Sequence, residues 1–214
     1  MACAEHVQRF KNWIALAGLD LKKHQLQGIE WVFSRELQTQ QGSPGGFLCD
    51  EMGLGKTITM IGVIVANMKP TTLVVLPVAL LYQWYAAIEK TTGHKAVIYH
   101  GSREKKKHSI EDLKKAPVVL TTYGSVVMDA KKNDKLSKIK WDRIIFDEAH
   151  HLPVKSNNHF TEFSNIKGTQ GWLEGLVKEF SQLQSHDLLT EEECIVTSGV
   201  LKKLIESFEN ISQI

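Results

Sequence analysis

"GGFLCDEMGLGKTITM", residues 45–60, joins a short apolar run (Phe47, Leu48, Cys49) to a glycine-rich turn, a lysine–threonine pair and an apolar helical run. Gly53 and Gly55 let the backbone turn tightly and approach a ligand. Successive N–H groups then point inward, and the following helix presents its positive end, an arrangement suited to phosphate. In such a loop the Lys56 ammonium reaches the β- and γ-phosphates of a nucleotide, and the Thr57 hydroxyl ligates Mg²⁺. The full GxxxxGK[ST] pattern is not met, because Asp50 stands where its first glycine would fall; the GxGKT core is intact. A chance glycine turn with a surface lysine is the competing reading, and a strand before and a helix after weigh against it.

Outward from this turn, short β-rich runs alternate with helical ones. The β runs are 47–49, 73–76, 96–99, 118–121 and 143–146; the helical runs between them are 56–68, 79–90, 110–115 and 124–130. Continuous apolar strands separated by helices predict an α/β fold, a parallel sheet with helices on both faces. Ligands collect at the carboxyl ends of strands in such sheets. Upstream, the first thirty residues read as helices, with Leu26, Ile29, Val32, Phe33 and Leu37 at helical spacing. Residues 39–46 (TQQGSPGG) read as a loop.

A second site lies in "WDRIIFDEAHH", residues 141–151. Ile144, Ile145 and Phe146 end a buried strand, and Asp147 and Glu148 follow at its carboxyl end. Asp147 suits ligation of Mg²⁺, directly or through water, and Glu148 suits orienting or deprotonating the attacking water of phosphoryl transfer. Taken alone, two acids after a strand are more often a loop cap. Their conjunction with the GKT turn, ninety-one residues earlier, favours an ATPase. The adjacent His150 and His151 project in different directions and do not read as a metal pair.

Composition bounds the alternatives. The chain has 214 residues, 43% hydrophobic and 23% charged, ordinary for a globular protein. No run of about 18 apolar residues predicts a membrane span, and the opening residues lack the apolar core of a signal peptide. Cys3, Cys49 and Cys194 lie far apart, which argues against a zinc site or disulfide framework and fits a reducing compartment. Net charge is +2, but residues 95–140 carry twelve Lys/Arg against five Asp/Glu, a local +7. That bias is either a solvated face or a surface that meets nucleic-acid phosphates; charge alone leaves both open.

With GKT and DEAH in place, the sequence resembles superfamily-two helicase-like ATPases, and more closely the Swi/Snf-type chromatin-remodelling and DNA-translocase ATPases. "LKKHQLQGIEW" resembles that family's glutamine motif, "DEMGLGKT" its phosphate loop, and "LVVLPVALLYQW" the next motif, with Ala79 where the family usually has Ser or Thr. "IYHGS", "VVLTTYGSV" and "FDEAHH" follow in order, with His151 where the family often has Arg. The resemblance covers about residues 20 to 151. It implies the first of two RecA-like lobes, with ATP and Mg²⁺ at the strand ends and double-stranded DNA across the face. Gln25 would read the adenine; Asp50, Glu51, Met52, Gly53, Leu54, Gly55, Lys56 and Thr57 would form the phosphate loop. Pro77, Gln83, Thr121, Thr122 and Tyr123 would lie near a DNA strand. By the same resemblance the protein is nuclear.

Three parts are expected: a helical segment 1–20, the lobe 21–151 and a divergent, mostly helical tail 152–214. In the tail, Trp172, Leu173, Leu176, Val177, Phe180 and Leu183 fall on one helical face, and residues 190–193 (TEEE) read as a capping box. Residues 154–158 echo the family's loop after the DEAH box, and residues 194–200 echo its next motif without the proline. A second lobe does not fit into the sixty-three residues after His151, so a shortened form is expected, one that needs a second lobe or protein partner for efficient turnover. The alternative is a non-catalytic module that binds ATP, DNA or a protein.

Overall fold

The computed structural model describes residues 2–37, 46, 48, 50, 53–132 and 134–148. Among them, β1 (Thr72–Leu76), β2 (Val97–Tyr99), β3 (Val118–Thr122) and β4 (Arg143–Phe146) form one parallel sheet in the order β2-β3-β1-β4. Register is fixed by Thr72 opposite Val118 and Arg143, and by Val97 opposite Val119. Every residue of β1 and β3 is buried, as strands covered on both faces must be. The expected strand 47–49 is described only at Leu48, which has no regular structure. The expectations for His150, His151 and the tail 152–214 lie outside the described residues.

The period of two sorts the strands into two cores. Val74 and Leu76 of β1, Val118 and Leu120 of β3 and Ile145 of β4 face one side. They pack against α1 (Ala2–Leu16), α2 (Lys23–Leu37), α3 (Lys56–Ala66) and α4 (Leu81–Thr92). Leu73, Val75 and Val119 face the other side, with Leu113 of α6 (Ile110–Lys115), Tyr123, Val126 and Val127 of α7 (Tyr123–Lys132), and Trp141. The first helix is part of the former core: Val7, Phe10, Trp13 and Ile14 are buried at helical spacing. It lies so close to α3 that a Cβ added at Gly62 would sit 2.3 Å from the Phe10 ring.

Local chemistry sets the boundaries. α3 ends at Asn67, shorter than the apolar run suggests, with its N–H on the Val63 carbonyl. Pro77 opens a single 3₁₀ turn, Val78–Leu80, before α4, which ends at Gly93 in the left-handed region (φ 71°), where glycine carries no Cβ penalty. α6 starts on a capping box in which Ser109 and Asp112 satisfy each other's backbone N–H. A further helix, α5 (Gly101–Lys107), was not expected. It buries no residue, so it leaves no apolar periodicity to read. Lys135 holds its end by donating from Nζ to the carbonyls of Lys105 (2.7 Å) and His108 (2.6 Å), complementing the helix's negative pole.

Candidate functional site

The anchoring of α3 directs the glycine turn towards the sheet edge that bears the acidic pair. Asn67, the C-cap of α3, accepts from Arg143 Nη2 at its carbonyl (2.8 Å), and Arg143 is the first residue of β4. The C-terminus of α3 therefore lies at the amino end of β4. Eleven helical residues rise roughly 16 Å, and four strand residues span roughly 13 Å. With α3 packed along the sheet, Gly55 and Lys56 come to the carboxyl edge, where Asp147 and Glu148 follow β4.

The turn itself is shaped by glycine and braced by α2. Gly53 and Gly55 both hold positive φ, 89° and 82°. A Cβ at Gly55 would sit 2.7 Å from the end of the Gln25 side chain, which can move aside; the positive φ is what requires glycine there. From α2, His24 Nε2 lies 2.9 Å from the Leu54 carbonyl, a contact in which the ring N–H donates. The buried Gln25 amide makes a longer contact, 3.5 Å, to the Gly55 carbonyl. Gly55 caps α3 without a side-chain acceptor, so the first N–H groups of α3 receive no cap from it. Lys56 Nζ donates to the Asp50 carbonyl across the loop. Asp50 Oδ2 is buried with no hydrogen-bond partner, one acceptor left for a donor on a ligand or its water. Amides at a helix start, a lysine across the loop and a hydroxyl at Thr57 fit a nucleotide with Mg²⁺. Glu51 and Met52 lie outside the described residues.

Asp147 is held from every side. Its N–H donates to the Val75 carbonyl of β1 (2.9 Å), and its carbonyl accepts from the Tyr123 hydroxyl (2.7 Å). Its carboxylate accepts from the Trp84 indole at Oδ2 (2.6 Å) and from the Glu148 N–H at Oδ1 (3.1 Å). Each carboxylate oxygen has two acceptor sites, so each keeps one for water or a cation. Burial, then the nearby charges of Asp147 and Glu148, push the Tyr123 phenol upward, which keeps it a neutral donor. Glu148 has φ 50°, uncommon for a residue with a Cβ and the kind of strain found at functional sites.

The residues expected near DNA divide into two groups. Pro77 is half-buried and Gln83 exposed, both just past the carboxyl end of β1. Thr121, Thr122 and Tyr123 are buried: Thr121 Oγ1 donates to the Tyr99 carbonyl and Thr122 Oγ1 to Ser125 Oγ, while the Tyr123 hydroxyl is on Asp147. Their side chains are committed inside the lobe, so any strand contact at these three runs through backbone. Of the twelve basic residues in 95–140, ten are exposed. Lys105 and Lys135 are half-buried: Lys105 lies 5.2 Å from the Tyr99 ring centre, its pKa lowered chiefly by burial, and Lys135 braces α5.

Two contacts escaped the sequence reading. Trp84 lies in the expected helix 79–90 without a role of its own, yet its indole N–H is on the metal-suited acid; the available signal was that a buried indole needs an acceptor. His24 precedes Gln25 and braces the loop through a backbone carbonyl, which no side-chain pattern announces.

A parallel sheet with a glycine turn, a lysine and a strand-end acid pair at its carboxyl edge defines a RecA-like, P-loop type of nucleotide lobe. Residues 24–173 match the SNF2-related domain, and the chain belongs to that family. The match runs beyond residue 151. The chain is 33% identical over 210 residues to a zebrafish (Danio rerio) chromodomain-helicase-DNA-binding protein 1-like, covering 94% of this chain and 19% of that one. It is 32% identical over 164 residues to the ATP-dependent DNA helicase DDM1 of Arabidopsis thaliana, covering 71% of this chain and 20% of that one. Among solved structures, the Sulfolobus solfataricus SWI2/SNF2 ATPase core in complex with dsDNA is similar, with TM-score 0.56 and 28% identity. That likeness covers 69% of this chain and 30% of that one. The chain thus spans about a fifth of the length of these two curated relatives. No helix among the described residues is long and apolar enough to cross a membrane.

Proposed function

We propose that this chain supplies the ATP-holding lobe of a DNA-dependent ATPase of the helicase-like, chromatin-remodelling type, acting in the nucleus. What carries the reading is the tie between the end of α3 and the start of β4, Arg143 Nη2 on the Asn67 carbonyl, which directs the Gly53–Lys56 turn at the other end of α3 towards the carboxyl edge followed by Asp147 and Glu148. In this reading the lobe occupies 21–151, with the segment 1–20 packed against it and 152–214 as an appendage. Residues 50–57, including Glu51 and Met52, cradle the phosphates with backbone N–H groups, and Lys56 neutralises the terminal ones. Gln25 lies beside the loop where an adenine edge would come. Thr57 and Asp147 would hold Mg²⁺, which when bound neutralises charge developing on the phosphate oxygens. Glu148 takes or orients the proton of the attacking water. Duplex DNA crosses the edge bearing Pro77, Gln83 and the end of β3. Efficient turnover requires a second RecA-like lobe or a protein partner, whose arginine is worth about 10³–10⁵ in rate.

Thermal melting tests the cradle. MgATP at about a hundredfold excess over Kd should stabilise the wild type by about 2.7 kcal/mol, and Lys56→Ala should abolish that gain. A wild type that melts unchanged with MgATP overturns the proposal. Duplex affinity should fall steeply with salt and show little sequence preference, since backbone phosphates dominate such binding. An affinity indifferent to salt refutes the DNA part.

A further inference from the structure

We propose that Trp84 is a positioning residue for Asp147, and that it links a strand held at Gln83 to the metal-binding carboxylate. The inference rests on the function proposed above and adds a residue to it. Trp84 is 1% exposed, and its indole N–H donates to Asp147 Oδ2 at 2.6 Å. One residue before it, Gln83 is exposed, and two before it, Tyr82 is 69% exposed. A single turn of α4 thus carries outward groups suited to a nucleic acid and an inward donor on the acid.

The geometry gives that donor control over the carboxylate. Oδ1 is held by the Glu148 N–H and Oδ2 by the indole, so the two donors fix the rotation of the group. Each oxygen keeps one acceptor position for a cation or its water. Tyr123 holds the Asp147 carbonyl, and it belongs to the core on the opposite face of the sheet from Trp84. With the main chain pinned from that side, motion of α4 acts on the carboxylate alone. A shift of α4 by about 1 Å takes a hydrogen bond of this length out of range or turns the carboxylate with it. Donors that orient metal ligands typically matter by about 10- to 100-fold in metal affinity.

The test uses the full chain and Trp84→Phe, which keeps an aromatic ring and removes the N–H. Melting with ADP is followed as Mg²⁺ is titrated. The Mg²⁺ concentration giving half the stabilisation should rise about 10- to 100-fold, while stabilisation by ADP without metal stays as in the wild type. The ratio of duplex-DNA affinities with and without MgADP should move towards one. In the ¹⁵N-labelled wild type, one of the five tryptophan indole signals should shift with MgADP, broaden when Mn²⁺ replaces Mg²⁺, and shift with duplex DNA alone. An unchanged Mg²⁺ midpoint in Trp84→Phe overturns the positioning role. An indole signal that answers to metal but not to DNA overturns the link. If Trp84→Phe does not fold, the wild-type spectrum decides. A wild type stabilised by MgADP with an indifferent variant sinks this inference alone; a wild type that ignores MgADP sinks the proposed function as well.

Discussion

Arg143→Ala is expected to lower the unfolding free energy by about 3–5 kcal/mol, the usual cost of removing one partner of a buried ion pair. Arg143 is 7% exposed. Its Nε and Nη2 donate to Glu36 at 2.6 and 2.8 Å, and Nη2 also donates to the Asn67 carbonyl at 2.8 Å. Asn67 in turn donates from Nδ2 to Glu36 Oε2 at 2.9 Å. The group thereby ties the end of α2, the end of α3 and the start of β4. Deleting the guanidinium leaves a carboxylate only 17% exposed and a backbone carbonyl without its donor. Arg143 Nη1 is already buried without a partner, so the intact pair is itself no large net gain; the loss comes from stranding Glu36. Urea unfolding with an unchanged m-value measures it. The double variant with Glu36→Ala should recover part of the loss, because the stranded charge is gone. A loss below about 1 kcal/mol would mean the pair behaves as a screened surface contact.

The anchor also shows where sequence and structure part. The strands of the sheet were legible because both faces are covered, so Leu73–Leu76 and Val118–Leu120 read as unbroken apolar runs. The glycine turn was legible because lysine and threonine follow it at fixed spacing, and Asp147 because it ends a strand. Glu36 and Arg143, 107 positions apart, carry no local mark of their pairing; each alone looks like a surface charge. Thr121, Thr122 and Tyr123 show the converse. The family resemblance alone places them near a DNA strand; at this buried strand end their polar groups are satisfied by neighbouring carbonyls and hydroxyls. α5 was hidden because it buries no residue and its end is held by Lys135, outside the helix.

Glu148→Gln is expected to lower DNA-stimulated phosphate release by about 10²–10⁴-fold, the range for losing a positioned general base. The substitution keeps the shape of the side chain and removes its basicity. It leaves untouched the backbone N–H by which residue 148 holds Asp147 Oδ1. Stabilisation by MgATP should therefore persist in the variant, in contrast to Lys56→Ala, and the two together separate holding nucleotide from cleaving it. The positive φ of Glu148, 50°, is unaffected by the change, so lost turnover with intact binding points to the carboxylate itself. Release by the wild type that rises with DNA and vanishes in Glu148→Gln would mean that a completing arginine reaches the site. A rate per molecule that grows with protein concentration would then identify a second copy as its source. Release no higher in the wild type than in the variant, with MgATP binding intact in both, would make these residues a nucleotide holder that awaits another lobe, since an arginine supplied by such a lobe is worth about 10³–10⁵.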